Sequence, residues 1–189
     1  KNKIKKGDVV SAYMPNIPET VVSMLATTSL GGVFTSTSPD FGVEGVVDRF
    51  GQSNPTVLIC ALNYSYNGKI INQIGKIKSI KEQVPSIKEV IIVDFLGTGD
   101  QHEFTDWKDA LKNETTLEFV PCKFSDPLYV MYSSGTTGKP KCMVHSIGGT
   151  LLQHIKEHGL HGEMDQDKTT FYFTTCGWMM WNWLVSGIY

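Results

Sequence analysis

The sequence predicts an α/β fold, a mostly parallel sheet with flanking helices. Three observations carry this expectation. Short apolar runs of strand length recur at residues 8–14, 33–36, 56–60, 90–93 and 128–132. Stretches of helical spacing lie between most of them, at 18–30, 43–52 and 69–84. Proline or glycine punctuates the junctions, at Pro18, Gly31-Gly32, Pro39, Pro55, Pro85 and Pro127. Strands separated by helices imply crossover connections and parallel pairing.

Each element has a local reason. Val9, Val10, Ala12 and Met14 supply the apolar content of the first strand. Pro15-Asn16-Ile17-Pro18 turns the chain, and Pro18 suits the first turn of a helix that stops at Gly31-Gly32. Pro39 breaks the second strand from the helix at 43–52, and Pro55 precedes the strand at 56–60. Ile70, Ile74, Ile77 and Ile80 predict a helix over 69–84, ended by Pro85. Residues 97–118 are less regular, with a short helix at 106–111 in surface loop. Asp126-Pro127 introduces the strand 128–132, and Tyr132 is expected to end a central parallel strand. Met143-Val144-His145 is strand-like, and 146–158 reads as a helix ended by Gly159.

The stretch 169–189 carries no charge, but Thr174, Thr175, Cys176, Gly177 and Asn182 interrupt it. A buried strand, a loop and a buried helix fit it better than a membrane span. The chain ends inside this apolar run without a cap or polar tail, so residues 1–189 are expected to be a fragment of something longer.

Composition narrows the class. Of 189 residues 41% are hydrophobic and 19% charged, with a net charge of −2, as in a soluble globular protein. Arg49 is the sole arginine and the lysines are scattered, which argues against a nucleic-acid groove. Cys60, Cys122, Cys142 and Cys176 form no C-x-x-C pair, so reduced thiols in the cytosol are the simpler reading. The glycosylation patterns at Asn63 and Asn113 read as chance matches. Nothing in the composition sets an oligomeric state.

The stretch YSSGTTGKPK, at 132–141, concentrates glycines, hydroxyls and lysines directly after a strand. Glycine lets backbone N–H groups close on an anion, and Gly135 and Gly138 supply that freedom. Ser133, Ser134, Thr136 and Thr137 offer hydroxyls, Lys139 and Lys141 offer charge, and Pro140 limits relaxation. A Walker A loop is excluded: only Thr136 and Thr137 lie between the glycines, and proline follows Lys139. A mobile surface turn is the bland alternative. The hydroxyls and the preceding strand favour a phosphate cradle.

That loop, SGTTGKPK at 134–141, resembles the phosphate loop of the adenylate-forming superfamily, which includes acyl-CoA synthetases, peptide-synthetase adenylation domains and luciferases. STSPDFGV at 36–43, KCMVHSIGGTLLQHIKEH at 141–158 and TTCGWMMWNWLVSG at 174–187 are similar to its acetoacetate-activating branch. Cys142 departs from the glycine usual in the superfamily and itself resembles that branch.

The resemblance implies that residues 1–189 are part of the large N-terminal AMP-binding domain, with the C-terminal domain absent. It implies an acid–CoA ligase: acetoacetate is activated by ATP to an acyl-adenylate, with Mg²⁺, and coenzyme A then displaces AMP. The small molecules acetoacetate, ATP and coenzyme A are the partners expected. Lys139, Thr136 and Thr137 would be catalytic. Ser133, Ser134, Gly135, Thr136, Thr137, Gly138, Lys139, Lys141 and His145 would surround the nucleotide, with Thr136 or Thr137 on the metal side. His145 could also simply cap the next helix. Trp178, Met179 and Met180 would shape the acyl pocket, although Trp and Met at helical spacing commonly form core.

Three rivals stand beside this reading. One is an acetyl- or propionyl-type synthetase, and another is a nucleotide-binding fragment without turnover. The third is a zinc hydrolase: His154-Ile-Lys-Glu-His158 matches H-x-x-E-H. A solvated helix end is the simpler account of that match.

Overall fold

A computed structural model describes residues 4–112, 116–133 and 138–188. It contains a seven-stranded sheet in the order β7-β6-β3-β1-β2-β8-β9. Strands β1 (Val9–Tyr13), β2 (Val33–Thr37), β3 (Val57–Ala61) and β6 (Glu89–Val93) form its centre. All pairs are parallel except β8 (Pro127–Ser133) with β9 (Lys141–Ser146), which are antiparallel. The two-residue β7 (Thr105–Asp106) closes one end and β9 the other.

The central strands are buried on both faces, so β1, β3 and β6 are nearly continuous apolar runs, while β2 adds buried Thr35, Ser36 and Thr37. Alternation assigns the faces. Val10, Ala12, Val57, Ile59 and Phe34 pack on one side with Met24 of α1 (Pro18–Ser29) and Trp181 of α6 (Met179–Val185). Leu58, Cys60, Val90 and Ile92 pack on the other. There they meet Val46 and Phe50 of α2 (Val43–Ser53) and Ile77 and Ile80 of α3 (Ile74–Gln83).

Pro18 opens α1 as expected, and Thr20, Ser23, Met24 and Thr27 make its buried stripe. The hydroxyls of Thr20, Ser23 and Thr27 stay satisfied against the sheet. Ser23 donates to Glu19 O at 2.6 Å, Thr27 to Ser23 O at 2.7 Å and Thr20 to Pro15 O at 2.7 Å. Gly31, at φ +70°, turns the chain out of α1 into β2.

Several expectations are corrected. The helix predicted over 69–84 begins only at Ile74. Residues 69–72 are instead β5 (Lys69–Asn72), antiparallel to β4 (Asn63–Tyr66). Asn67 and Gly68 at their junction have φ of +49° and +71°, the geometry a tight hairpin demands. Ile70 is 65% exposed, so its helical spacing to Ile74 was coincidental. The strand containing Tyr132 is second from the sheet edge, not central, and runs on to Ser133.

No strand forms between 169 and 176. Phe171 and Phe173 are exposed there, with no neighbouring backbone ladder to join. The short helix near 106–111 is α4 (Trp107–Ala110), preceded by β7. The helix after β9 does not end at Gly159. α5 (Ile147–Lys156) passes into a π-helical turn, Glu157–His161. Among the described residues no helix is long and apolar enough to cross a membrane.

Candidate active site

Strands β8 and β9 form a hairpin whose last described pair is Ser133 with Lys141. The seven residues between them carry the glycine- and hydroxyl-rich stretch. Ser134, Gly135, Thr136 and Thr137 lie outside the described residues. Gly138 has φ +143°, a backbone that a side chain rarely adopts. Lys139 is exposed, and its Nζ lies 2.7 Å from Asp48 Oδ1 on α2. That contact holds the ammonium's pKa above its ordinary value, so Lys139 is charged at neutral pH.

Helix α2 holds both stems of this loop. Gln52, one turn beyond Asp48, donates to Pro140 O at 2.8 Å. Ser53 accepts from the Tyr132 hydroxyl at 3.3 Å, and the Arg49 guanidinium lies 5.8 Å from the Tyr132 ring centre. Burial pushes the Tyr132 phenol up to about 12, so it remains a donor. Thr35 Oγ1 of β2 stands 3.0 Å from the same hydroxyl and 2.7 Å from Val130 O. Asp48, Gln52, Arg49 and Ser53 were not singled out from sequence. The available signal was their position on α2 away from the apolar Val46–Phe50 stripe.

A cleft of about 600 Å³ lies along the same hairpin. Tyr129 and Met131 of β8 and Val144 and His145 of β9 make one side. Thr150, Gln153 and His154 of α5 and Met179, Met180, Asn182 and Trp183 of α6 make the others. Of the residues assigned to an acyl pocket, Met179 and Met180 line this cleft. Trp178 is 59% exposed and lies outside the lining. The aromatic core residue of that segment is Trp181, fully buried, stacked on Phe34 and donating from Nε1 to Asn16 Oδ1 at 2.8 Å.

His145 lines the cleft and does not cap α5. Ser146 takes that role, its Oγ accepting from Gly149 N at 3.2 Å. Lys141 is exposed on β9. Met131 lies two residues before Ser133, so cleft and loop are about 7 Å apart along β8. The hairpin therefore carries the stems of the glycine- and hydroxyl-rich stretch beside a largely apolar hollow.

The reading of His154 and His158 as a solvated helix end is also corrected. His158 is 4% exposed, packed on Trp183 with ring centres 4.7 Å apart. Ser186 Oγ lies 2.7 Å from Trp183 O, 2.8 Å from His154 Nδ1 and 2.9 Å from His158 Nε2. One hydroxyl has one proton. With it on the Trp183 carbonyl, both rings donate to the serine oxygen, which selects their tautomers. Burial, then the neighbouring His158 and His145, push the His154 pKa down. Among the described residues no three His, Cys, Asp or Glu side chains are grouped to hold a metal ion.

The model of a family described as AMP-binding enzyme matches residues 1–188. The chain belongs to the AMP-binding enzyme family. Within it, the chain is 43% identical over 196 residues to the acetoacetyl-CoA synthetase of Gallus gallus. It is 44% identical over 197 residues to the acetoacetyl-coenzyme A synthetase of Rhizobium meliloti (strain 1021). Each match covers 98% of this chain and 29% of the relative. Among solved structures, acetoacetyl-CoA synthetase from Streptomyces lividans superposes with a TM-score of 0.92 at 42% identity, over 98% of this chain and 29% of that one. The chain thus spans under a third of the length of these relatives.

Proposed function

We propose that this chain is part of the N-terminal AMP-binding domain of an acid–CoA ligase that activates acetoacetate. The observation that carries the reading is the β8–β9 hairpin, with charged Lys139 at its loop and the Met179–Met180 cleft on its flank. Relatives above 40% identity named for acetoacetyl-CoA support the choice of acid.

In the first half-reaction the acid's carboxylate oxygen attacks the α-phosphorus of ATP. The bond to the β-phosphate oxygen breaks, giving acyl-adenylate and pyrophosphate. Lys139 would leave Asp48 for the β- and γ-phosphates and offset the charge growing on the leaving pyrophosphate. Gly138, with Ser133 and Lys141 at the stem and Ser134, Gly135, Thr136 and Thr137 between, would cradle those phosphates. Met179, Met180 and Met131 would hold the acid's carbon chain, with its carboxylate toward the loop. His145 lines the cleft from β9, the strand that leaves the loop, which suits it to the nucleotide side. Trp178 would flank the pocket from outside the lining.

In the second half-reaction the thiolate of coenzyme A attacks the acyl carbon, the bond from that carbon to the phosphate oxygen breaks, and AMP leaves. Magnesium would enter largely on the nucleotide's own phosphates and water, with Thr136 or Thr137 as the hydroxyls offered from this chain. The four free cysteines suit a reducing compartment such as the cytosol.

The test is ATP–pyrophosphate exchange by the full-length protein with acetoacetate, acetate, propionate and butyrate. Exchange strongest with acetoacetate is expected. Preference for acetate or propionate would replace the acid assignment, and no exchange with any acid would leave a nucleotide-binding protein without turnover.

A further inference from the structure

Two buried polar side chains in the cleft lack the partners their surroundings should provide. Thr150 of α5 is 9% exposed, and its hydroxyl has no hydrogen-bond partner among the described residues. A helical serine or threonine ordinarily returns its hydroxyl to the carbonyl one turn back. Ser23, Thr27 and Thr28 of α1 all do so; Thr150 does not. Asn182, on α6, is 4% exposed. Its Oδ1 is unpartnered, and its Nδ2 meets only the thioether of Met131, a weak acceptor, at 3.6 Å.

We propose that Thr150 and Asn182 recognise the 3-oxo group of the acid, making the cleft selective for a 3-oxo acid over the simple acid of the same length. This deepens the ligase reading and rests on it. A ketone oxygen accepts and never donates. Thr150 carries a donor committed to nothing, and Asn182 carries an amide N–H₂ whose present acceptor is poor. Both side chains line the same cleft, so a ketone oxygen bound there would offer an acceptor to the threonine O–H and to the amide N–H. Met131, Met180 and Val144 give the same lining an apolar stretch, as a terminal methyl requires. Butyrate puts a methylene where the ketone would sit and leaves both donors unpaired. A site built to hydrogen-bond a group rejects the analogue lacking it far better than an apolar wall rejects an extra methylene.

The experiment measures kcat/KM by ATP–pyrophosphate exchange for acetoacetate and butyrate on the full-length enzyme. Thr150→Val keeps the shape and removes the hydroxyl. It should lower the acetoacetate-to-butyrate ratio by roughly threefold to tenfold, the range of one neutral hydrogen bond. Thr150→Ser restores the donor and should bring the ratio back toward wild type. Asn182→Leu should lower the ratio in the same direction. If Asn182→Leu does not fold, the Val and Ser pair at Thr150 decides alone. A ratio within twofold of wild type in a folded Thr150→Val enzyme overturns the assignment while leaving the ligase reading intact. A wild-type enzyme that exchanges with neither acid overturns both.

Discussion

Trp178 and Trp181 are three residues apart in one apolar segment, yet the structure gives them opposite roles. Replacing Trp181 with alanine removes a fully buried indole, its stack on Phe34 and its bond to Asn16. A buried tryptophan hides roughly 150–250 Å². At about 25 cal/mol per Å² that area corresponds to roughly 4–6 kcal/mol, an upper bound because the unfolded chain is partly compact. Measured losses for Trp→Ala in cores are about 3–5 kcal/mol. Asn16 is exposed, so water replaces the lost donor and adds little. With a urea slope of about 2 kcal/mol/M, the unfolding midpoint should fall by about 1.5–2.5 M. Trp178→Ala should move it by no more than about 0.5 M, since that side chain is mostly in water. Urea titrations of both variants, followed by circular dichroism, make the comparison. Equal shifts, or a Trp181→Ala shift under about 0.5 M, would refute the assignment of Trp181 to the core.

Three further outcomes are expected. Lys139→Ala in the full-length enzyme should slow adenylate formation on the order of tenfold to a thousandfold, with a smaller effect on acid binding; unchanged exchange at saturating ATP would rule out a catalytic role. Met180→Ala should raise the use of longer acids relative to acetoacetate, read from the ratio of exchange rates beside a melting curve. A lower melting temperature with an unaltered ratio would return Met180 to a packing role. The third concerns pH. His154 has a lowered folded pKa, so above about 6.5 its ring is neutral in both states. As pH falls below that value the unfolded chain takes the proton first and the folded state loses stability. His154→Asn should therefore lose less melting temperature than wild type between pH 7.5 and 5.5, and identical losses would contradict the burial argument.

The parallel core was legible because its strands are buried on both faces and so read as apolar runs between prolines and glycines. Pro18 and Gly31 marked the ends of α1 by their own backbone constraints. The β4–β5 hairpin was not read, although Asn67-Gly68 is a strong turn signal, because Ile70 falls in register with the helical isoleucines that follow. Periodicity cannot tell an exposed strand residue from the first turn of a helix. The antiparallel pairing of β8 with β9 was equally hidden: a loop's composition says what it can bind, not which way the chain returns.

The loop stretch and Met179–Met180 were found as local patterns. Asp48, Gln52, Thr150 and the Ser186 bridge between two histidines were not, because their significance lies in partners 28 to 91 residues away, or in having none.

The two ends of the sheet differ in a way that bears on handling the protein. At β7 only two residues of ladder are on offer, too few to hold a passing strand. At β9 six residues end the sheet, with Met143 and Val144 exposed and Lys141 as the strand's lysine. Edge strands of that length are ordinarily blunted by proline, bulges or inward charges. Here the ladder's one irregularity among the described residues lies between Pro127 and Tyr129, opposite the last two residues of β9, and the strand pairs regularly from Lys141 to His145. Among the described residues, misassembly in concentrated solution should therefore be directional, growing from β9, and a lysine at Met143, exposed and outside the cleft lining, would act as a gatekeeper there.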